Sequence, residues 1–441
     1  MNFSLLHPAD QIVSIMSRIY KSGLTTTSGG NLSILDDNGD IWISPGGIDK
    51  GTLTRNDICC VKPDGEVIGP HKPSVELPFH ASIYKKRSDI RAVLHAHPPK
   101  LVAFSVIRKL PELNLTSNSR RTCESITIAP YAVPGSAELG EKISAEFVKG
   151  FNIVVLENHG LVIGSDNLFD CFMKFETLEA TAKLQINASK LISSGKSDES
   201  SKARGLKLFA DSELNLASIR DHMTMDDFIV NKHSSEECAA RRDMVTLIKR
   251  SYKQGLFGST RGTYSVRLSD GSFLITPSGI DRAYMTEDDL VLIKNGMKEY
   301  GKTPSRSVRL HKLIYEKHSN IHSVLGAEPP HAMAFAVTDA VFDPRTIPES
   351  YILLRNIQKV SFSSVFIDIE NVVSMFSEKT PVLICENNQI LATGSSLLDA
   401  FDRLEVCEAT AHSIIAAKDI GEMVHISDEE IREIDVAFNL S

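Results

Sequence analysis

Val93-Leu94-His95-Ala96-His97-Pro98-Pro99 and Val324-Leu325-Gly326-Ala327-Glu328-Pro329-Pro330 are one seven-residue phrase written twice in one chain, first with two histidines and then with none. An apolar run closed by paired prolines reads as a short strand that stops at the prolines. Side chains at i and i+2 of a strand leave the same face, so His95 and His97 can reach a common ion. A third histidine stands in the turn Glu157-Asn158-His159-Gly160, and Glu76 offers an acid. Three neutral imidazoles, a carboxylate and an open position make a divalent-metal site of the catalytic kind, with Zn²⁺ as the default and Mn²⁺, Fe²⁺ or Co²⁺ as other occupants.

The repetition runs along the whole chain. Gln11 to Gly23 returns as Arg241 to Gly255, and Ile43-Ser44-Pro45-Gly46-Gly47-Ile48-Asp49 returns as Ile275-Thr276-Pro277-Ser278-Gly279-Ile280-Asp281. Phe175-Glu176-Thr177-Leu178-Glu179-Ala180-Thr181-Ala182 returns as Leu404-Glu405-Val406-Cys407-Glu408-Ala409-Thr410-Ala411. The matches keep their order at a nearly constant offset, which is the mark of a tandem duplication. A polar stretch from Ser193 to Lys202 has the composition of a linker. The expected domains are 1–232, with the intact metal set, and 233–441, without it.

In each copy short alternating strands and glycine turns mix with amphipathic helices, among them Ala9–Gly23, Glu76–Lys86 and Leu168–Ile192. The two copies also serve as a comparison. His95 becomes Gly326, His97 becomes Glu328, His159 becomes Asn388 and Glu76 becomes Ser307. Unrelated core residues have no reason to vanish as a set, whereas metal ligands do. His80, by contrast, is kept as His311 and reads as a structural helix residue with a local hydrogen bond. His7, His71, His222 and His233 have no partner pattern and read as surface residues.

Composition narrows the class. Hydrophobic residues make up 42% and charged residues 24%, with a net charge of −8, the profile of a soluble globular protein without a nucleic-acid or membrane-surface partner. No apolar run reaches the roughly 18 residues of a membrane span, and the N-terminus has no secretion-signal pattern. Seven cysteines without Cys-x-x-Cys spacing read as free thiols in a reducing, cytoplasmic setting.

Gly29-Gly30-Asn31 and Ser44-Pro45-Gly46-Gly47 are loops whose backbone N–H groups can cradle an anion, and Ser74 can add a hydroxyl. Such glycine pairs also occur as plain turns. Arg261 and Arg306 accompany Thr276-Pro277-Ser278-Gly279 in the second copy, either as surface arginines beside retained turns or as an anion-binding set.

Ser28-Gly29-Gly30-Asn31, Ser44-Pro45-Gly46-Gly47, Pro73-Ser74-Val75-Glu76, His95-Ala96-His97 and His159-Gly160 together resemble the class II aldolase/adducin family. The resemblance covers about 8–192 well and about 240–438 in degenerate form. It implies an α/β fold of two tandem α/β/α domains, each with a central, largely antiparallel sheet flanked by helices. It implies metal on His95, His97 and His159, with Glu76 as proton carrier that also contacts the metal. It implies phosphate binding by Gly30, Asn31, Gly46, Gly47 and Ser74. The implied activity is retro-aldol cleavage of a sugar phosphate or related sugar through a metal-bound enediolate. Decarboxylation or epimerisation of a sugar acid on the same scaffold, and a non-catalytic interaction module, are the alternatives. The chain departs from the pattern at Gly46 and Val75, where hydroxyls are expected, and near Leu115, where an aromatic proton donor is expected. Tyr351, in Pro348-Glu349-Ser350-Tyr351 of the second copy, falls close to that missing place and is expected either as a catalytic proton donor lent by the silent domain across an interface or as a core aromatic. The family's fourfold rings imply a homodimer whose four domains mimic a tetramer.

Overall fold

Ile12, Ile15, Met16 and Ile19 recur at helical spacing and are the buried face of α1 (Pro8–Lys21). The computed structural model describes residues 3–192, 205–210, 212–213 and 225–440. The polar stretch 193–202 and His222 lie outside the described residues. The chain divides into two compact units, Met1–Leu113 with Asn118–Lys183, and Asn114–Ser117 with Leu184–Ser441.

The first unit is built on an eight-stranded sheet. Its strands are β1 (Asn31–Leu35), β2 (Ile41–Ile43), β3 (Cys59–Val61), β4 (Val67–Ile68), β5 (Ala92–Ala96), β6 (Thr127–Ala129), β7 (Ile153–Leu156) and β8 (Leu161–Ser165). Their order is β4-β3-β2-β1-β5-β8-β7-β6, antiparallel throughout except for the parallel β6–β7 pair. After α1 come the helices α2 (Leu77–Lys86), α3 (Pro99–Val106), α4 (Ser117–Cys123), α5 (Ala137–Val148) and α6 (Leu168–Ile192), with Ser117 of α4 and the residues of α6 from Leu184 on counted in the second unit. Phe79 and Ile83 of α2 and Leu139, Ile143 and Phe147 of α5 pack with Val93, Val154 and Val162 over one sheet face. Alternation along β5 puts His95 on the same face as Val93.

The second unit repeats the ladder with one strand more. Its strands are β9 (Asp227–Phe228), β10 (Thr263–Arg267), β11 (Phe273–Ile275), β12 (Val291–Lys294), β13 (Met297–Glu299), β14 (Ser323–Ala327), β15 (Gln358–Val360), β16 (Val382–Cys385) and β17 (Gln389–Gly394). The order is β15-β16-β17-β14-β10-β11-β12-β13-β9, and β9 is the addition, lying parallel to β13. Register is shared too. Asn31 lies opposite His95 as Thr263 lies opposite Gly326.

The retained histidines explain themselves. Ser33 Oγ meets His80 Nδ1 at 2.7 Å and the Tyr84 hydroxyl at 2.6 Å. Ser265, His311 and Tyr315 repeat this with the same two distances. Three of the histidines read as surface residues have specific partners. His7 accepts the Ala9 N–H at the start of α1, His71 meets Asp57 at 3.0 Å, and His233 meets Glu237 at 2.8 Å. All seven cysteines are free, and only Cys238 is less than buried. No helix among the described residues is long and apolar enough to cross a membrane.

Candidate metal centre

The central strand β5 carries His95, which is fully buried. His97 follows at the strand's end, where Pro98 and Pro99 stop pairing and open α3. His159 comes from the β7–β8 turn. Asn158, just before it, has φ +54°, a left-handed value that asparagine tolerates, and Asn387 repeats it at φ +55°. Gly160 closes the turn because nothing larger fits: a Cβ there would lie 2.5 Å from the Ala96 carbonyl oxygen and 2.6 Å from His97 Cδ2.

The three rings form a nearly equilateral triangle, with centroids 4.8, 4.9 and 4.9 Å apart. One nitrogen from each lies within 4.8 Å of the others. The Nε2 atoms of His95 and His97 approach to 3.0 Å. Glu76 Oε2 lies 3.2 Å from His95 Nε2, and Oε1 lies 3.9 Å from His159 Nε2. His95 Nδ1 meets the Leu161 carbonyl at 2.9 Å, so Nδ1 carries the proton and the lone pair of Nε2 points at its neighbours. Burial, and after it the neighbouring imidazoles, push His95 and His97 down to about 3. Burial also lowers His159. Uncharged imidazoles with converging lone pairs beside a carboxylate are a donor set that suits a divalent cation.

Glu76 is the N-cap residue of α2 and is aimed by a directional chain of hydrogen bonds. Asn31 Nδ2 donates to Glu76 Oε2 at 2.6 Å, and Asn31 Oδ1 takes a hydrogen bond from His80 Nε2. Burial keeps His80 uncharged, so its single ring proton is on Nε2. Its Nδ1 then accepts from Ser33, which accepts from Tyr84. His80 is therefore structural and also two hydrogen bonds from the acid, a link spanning 45 and 49 residues of sequence.

The expected anion loops lie together in part. Pro45 and Pro73 form an isolated bridge that brings Ser44–Gly47 beside Pro73–Val75. Gly30 has φ +71°, and a Cβ there would meet the His95 carbonyl at 2.7 Å. The Gly46 N–H donates to the Lys72 carbonyl at 3.1 Å. Ser74 Oγ accepts the Glu76 N–H at 3.3 Å. Tyr351 belongs to the second unit, where its hydroxyl donates to Asp435 at 2.9 Å.

Two residues near these elements were not singled out from sequence. Lys50 is 2% exposed, its Nζ donates to the Pro45 carbonyl, and burial lowers it to about 8. Glu179 on α6 accepts the N–H groups of Lys100 at 3.0 Å and Leu101 at 2.9 Å, holding the start of α3 just past His97. Both carry a signal in the repeat: Arg282 stands at the place of Lys50 and Glu408 at that of Glu179. Glu408 accepts the N–H groups of His331 and Ala332.

A model of the Class II Aldolase and Adducin N-terminal domain matches residues 10–186 and again 242–415. An L-fuculose phosphate aldolase of Methanococcus maripaludis is 34% identical over 174 residues, which are 40% of this chain and 93% of that protein. A 3-oxo-tetronate 4-phosphate decarboxylase of Haemophilus influenzae is 31% identical over 177 residues, 39% of this chain and 84% of that protein. Among solved structures, an L-fuculose 1-phosphate aldolase is 26% identical and covers 48% of this chain and 95% of its own, with a TM-score of 0.40.

Proposed function

Because the chain belongs to the class II aldolase and adducin family, we propose that its first unit is a divalent-metal lyase acting on a sugar phosphate or related sugar by retro-aldol cleavage. The observation that carries this reading is the meeting of His95, His97 and His159 nitrogens with the Glu76 carboxylate at one point of the sheet. A divalent ion held by the three imidazoles, zinc by default, supplies Lewis-acid polarisation of a carbonyl oxygen. Glu76 moves the proton: Asn31 occupies Oε2, and Oε1 is the atom left to take a proton from, or return one to, the reacting carbon. Gly30, Gly47 and the Ser74 hydroxyl lie on the loops that take the anionic end of the substrate.

Decarboxylation of a 3-oxo sugar acid phosphate is a second reading. The aromatic proton donor that the family resemblance implies is expected near Leu115, where no tyrosine stands, and decarboxylation needs only one proton returned to carbon, which Glu76 can supply. The name of the Haemophilus relative supports this reading. The experiment is a screen of zinc-loaded protein against ketose 1-phosphates and 3-oxo sugar acid phosphates, beside Glu76→Gln and metal analysis. The expected result is about one ion per chain, with turnover lowered about 10²- to 10⁴-fold in Glu76→Gln. A protein that holds no metal and turns over neither class overturns the proposal in favour of an interaction module.

A further inference from the structure

The second unit has lost the three histidines, yet the place they held is neither empty nor apolar. Gly326 replaces His95, and the space is taken by Gln389, which stands where the first unit has Gly160: a Cβ on Gly326 would lie 2.6 Å from Gln389 Oε1. Asn388 replaces His159. Arg261, at the place of Gly29, reaches Glu328, at the place of His97, with Nε 3.7 Å from the carboxylate. The ladder explains the meeting. Thr263 and Leu391 both face Gly326, so Arg261 and Gln389 come up on either side of Glu328. Arg261 is no surface arginine. It keeps 23% of its side-chain surface, and burial together with the nearby Arg306 works against its charge.

Three buried nitrogens here have no hydrogen-bond acceptor: Arg261 Nε, Asn388 Nδ2 and Gln389 Nε2. Each is an N–H donor, and a buried donor left unpaired costs about 1–3 kcal/mol. Native structures seldom carry several such atoms in one place without a partner. The sign of the site has therefore been reversed. The first unit gathers lone pairs, which suit a cation. The second presents N–H donors, with Arg261 and Gln389 on the strands either side of Glu328 and Asn388 at the place of His159, and Arg261 with Arg306 sets two positive charges against the one negative charge of Glu328.

We infer that the second unit carries an anion-binding centre formed by Arg261, Asn388 and Gln389, which takes a small oxyanion, the carboxylate or phosphate group of a metabolite, in place of a metal. The centre is independent of the reading given for the first unit. The test uses the full-length chain, titrated by calorimetry with inorganic phosphate in one arm and malonate in the other. The wild type, Arg261→Met, Gln389→Leu and a His95→Ala/His97→Ala double variant are compared, with circular dichroism as a check on folding. Saturable binding of either anion is expected, and the arm that binds more tightly names the group recognised. Binding weakens at least about tenfold in Arg261→Met, the loss of one charge-assisted donor. It weakens several-fold in Gln389→Leu, which carries the test alone if Arg261→Met does not fold, and it persists in the double histidine variant. Binding unchanged in both second-unit variants, binding abolished by the histidine changes, or no binding of either anion overturns the inference.

Discussion

Gly160→Ala tests how tightly the backbone fixes the histidine triangle. The added Cβ would stand 2.5 Å from the Ala96 carbonyl oxygen and 2.6 Å from His97 Cδ2, and real Cβ contacts essentially never fall below 3.0 Å. At least half an ångström must open between the β7–β8 turn and the strand that presents His95 and His97. The atom in the way is backbone, so no side-chain rotation relieves it. Overpacking of this kind costs about 1–3 kcal/mol. Taken from folding of a unit this size, that is a fall in Tm of about 3–10 °C. Taken from the position of His97, it is a loss of metal affinity of about five- to a hundredfold. The assay pairs thermal unfolding of the metal-free protein with competitive zinc titration. Gly421→Ala is the control, since a Cβ there meets nothing within 4 Å. A Gly160→Ala protein that matches wild type in both Tm and zinc affinity refutes the reasoning.

Two further outcomes follow from the structure. Burial raises Glu179 from 4.5 to about 7. Between those values the folded protein holds the proton and the unfolded chain releases it, so this residue's stabilisation is full below about pH 4.5 and lost as pH rises to about 7, at most about 3 kcal/mol. Urea unfolding from pH 5 to 8 should show wild type losing stability relative to Glu179→Gln up to about pH 7 and running parallel above it; parallel curves throughout reject the assignment. With Tyr351 as a proton donor to the chemistry, Tyr351→Phe lowers kcat about 10²-fold, beyond the roughly 1 kcal/mol of stability lost with its bond to Asp435; unchanged turnover ends that reading.

Local pattern carried a good part of this architecture. Period-two spacing put His95 and His97 on one face, and the prolines marked the end of their strand. The doubled phrases announced two similar folds, and the structure returns the same strand order twice. What local pattern could not carry is contact between residues far apart in sequence. Asn31 read as part of an anion loop; its amide also holds Glu76, because the β1–β5 pairing sets Asn31 opposite His95 and α2 brings its N-cap residue to the same place. The bond from the Gly46 N–H to the Lys72 carbonyl is likewise set by the approach of two loops. Arg261 could be read as exposed because arginine usually is; its enclosure depends on Gly326 and Gln389, more than sixty residues away.

The exchange of bulk between Gly326 and Gln389 makes two positions of the second centre depend on each other. A histidine placed at 326 needs only the far end of the Gln389 side chain to swing aside, whereas a glycine placed at 389 opens a void beside a residue with no side chain. The order of the two changes therefore matters: bulk can be added at 326 before it is removed at 389, and the reverse order passes through a worse-packed protein.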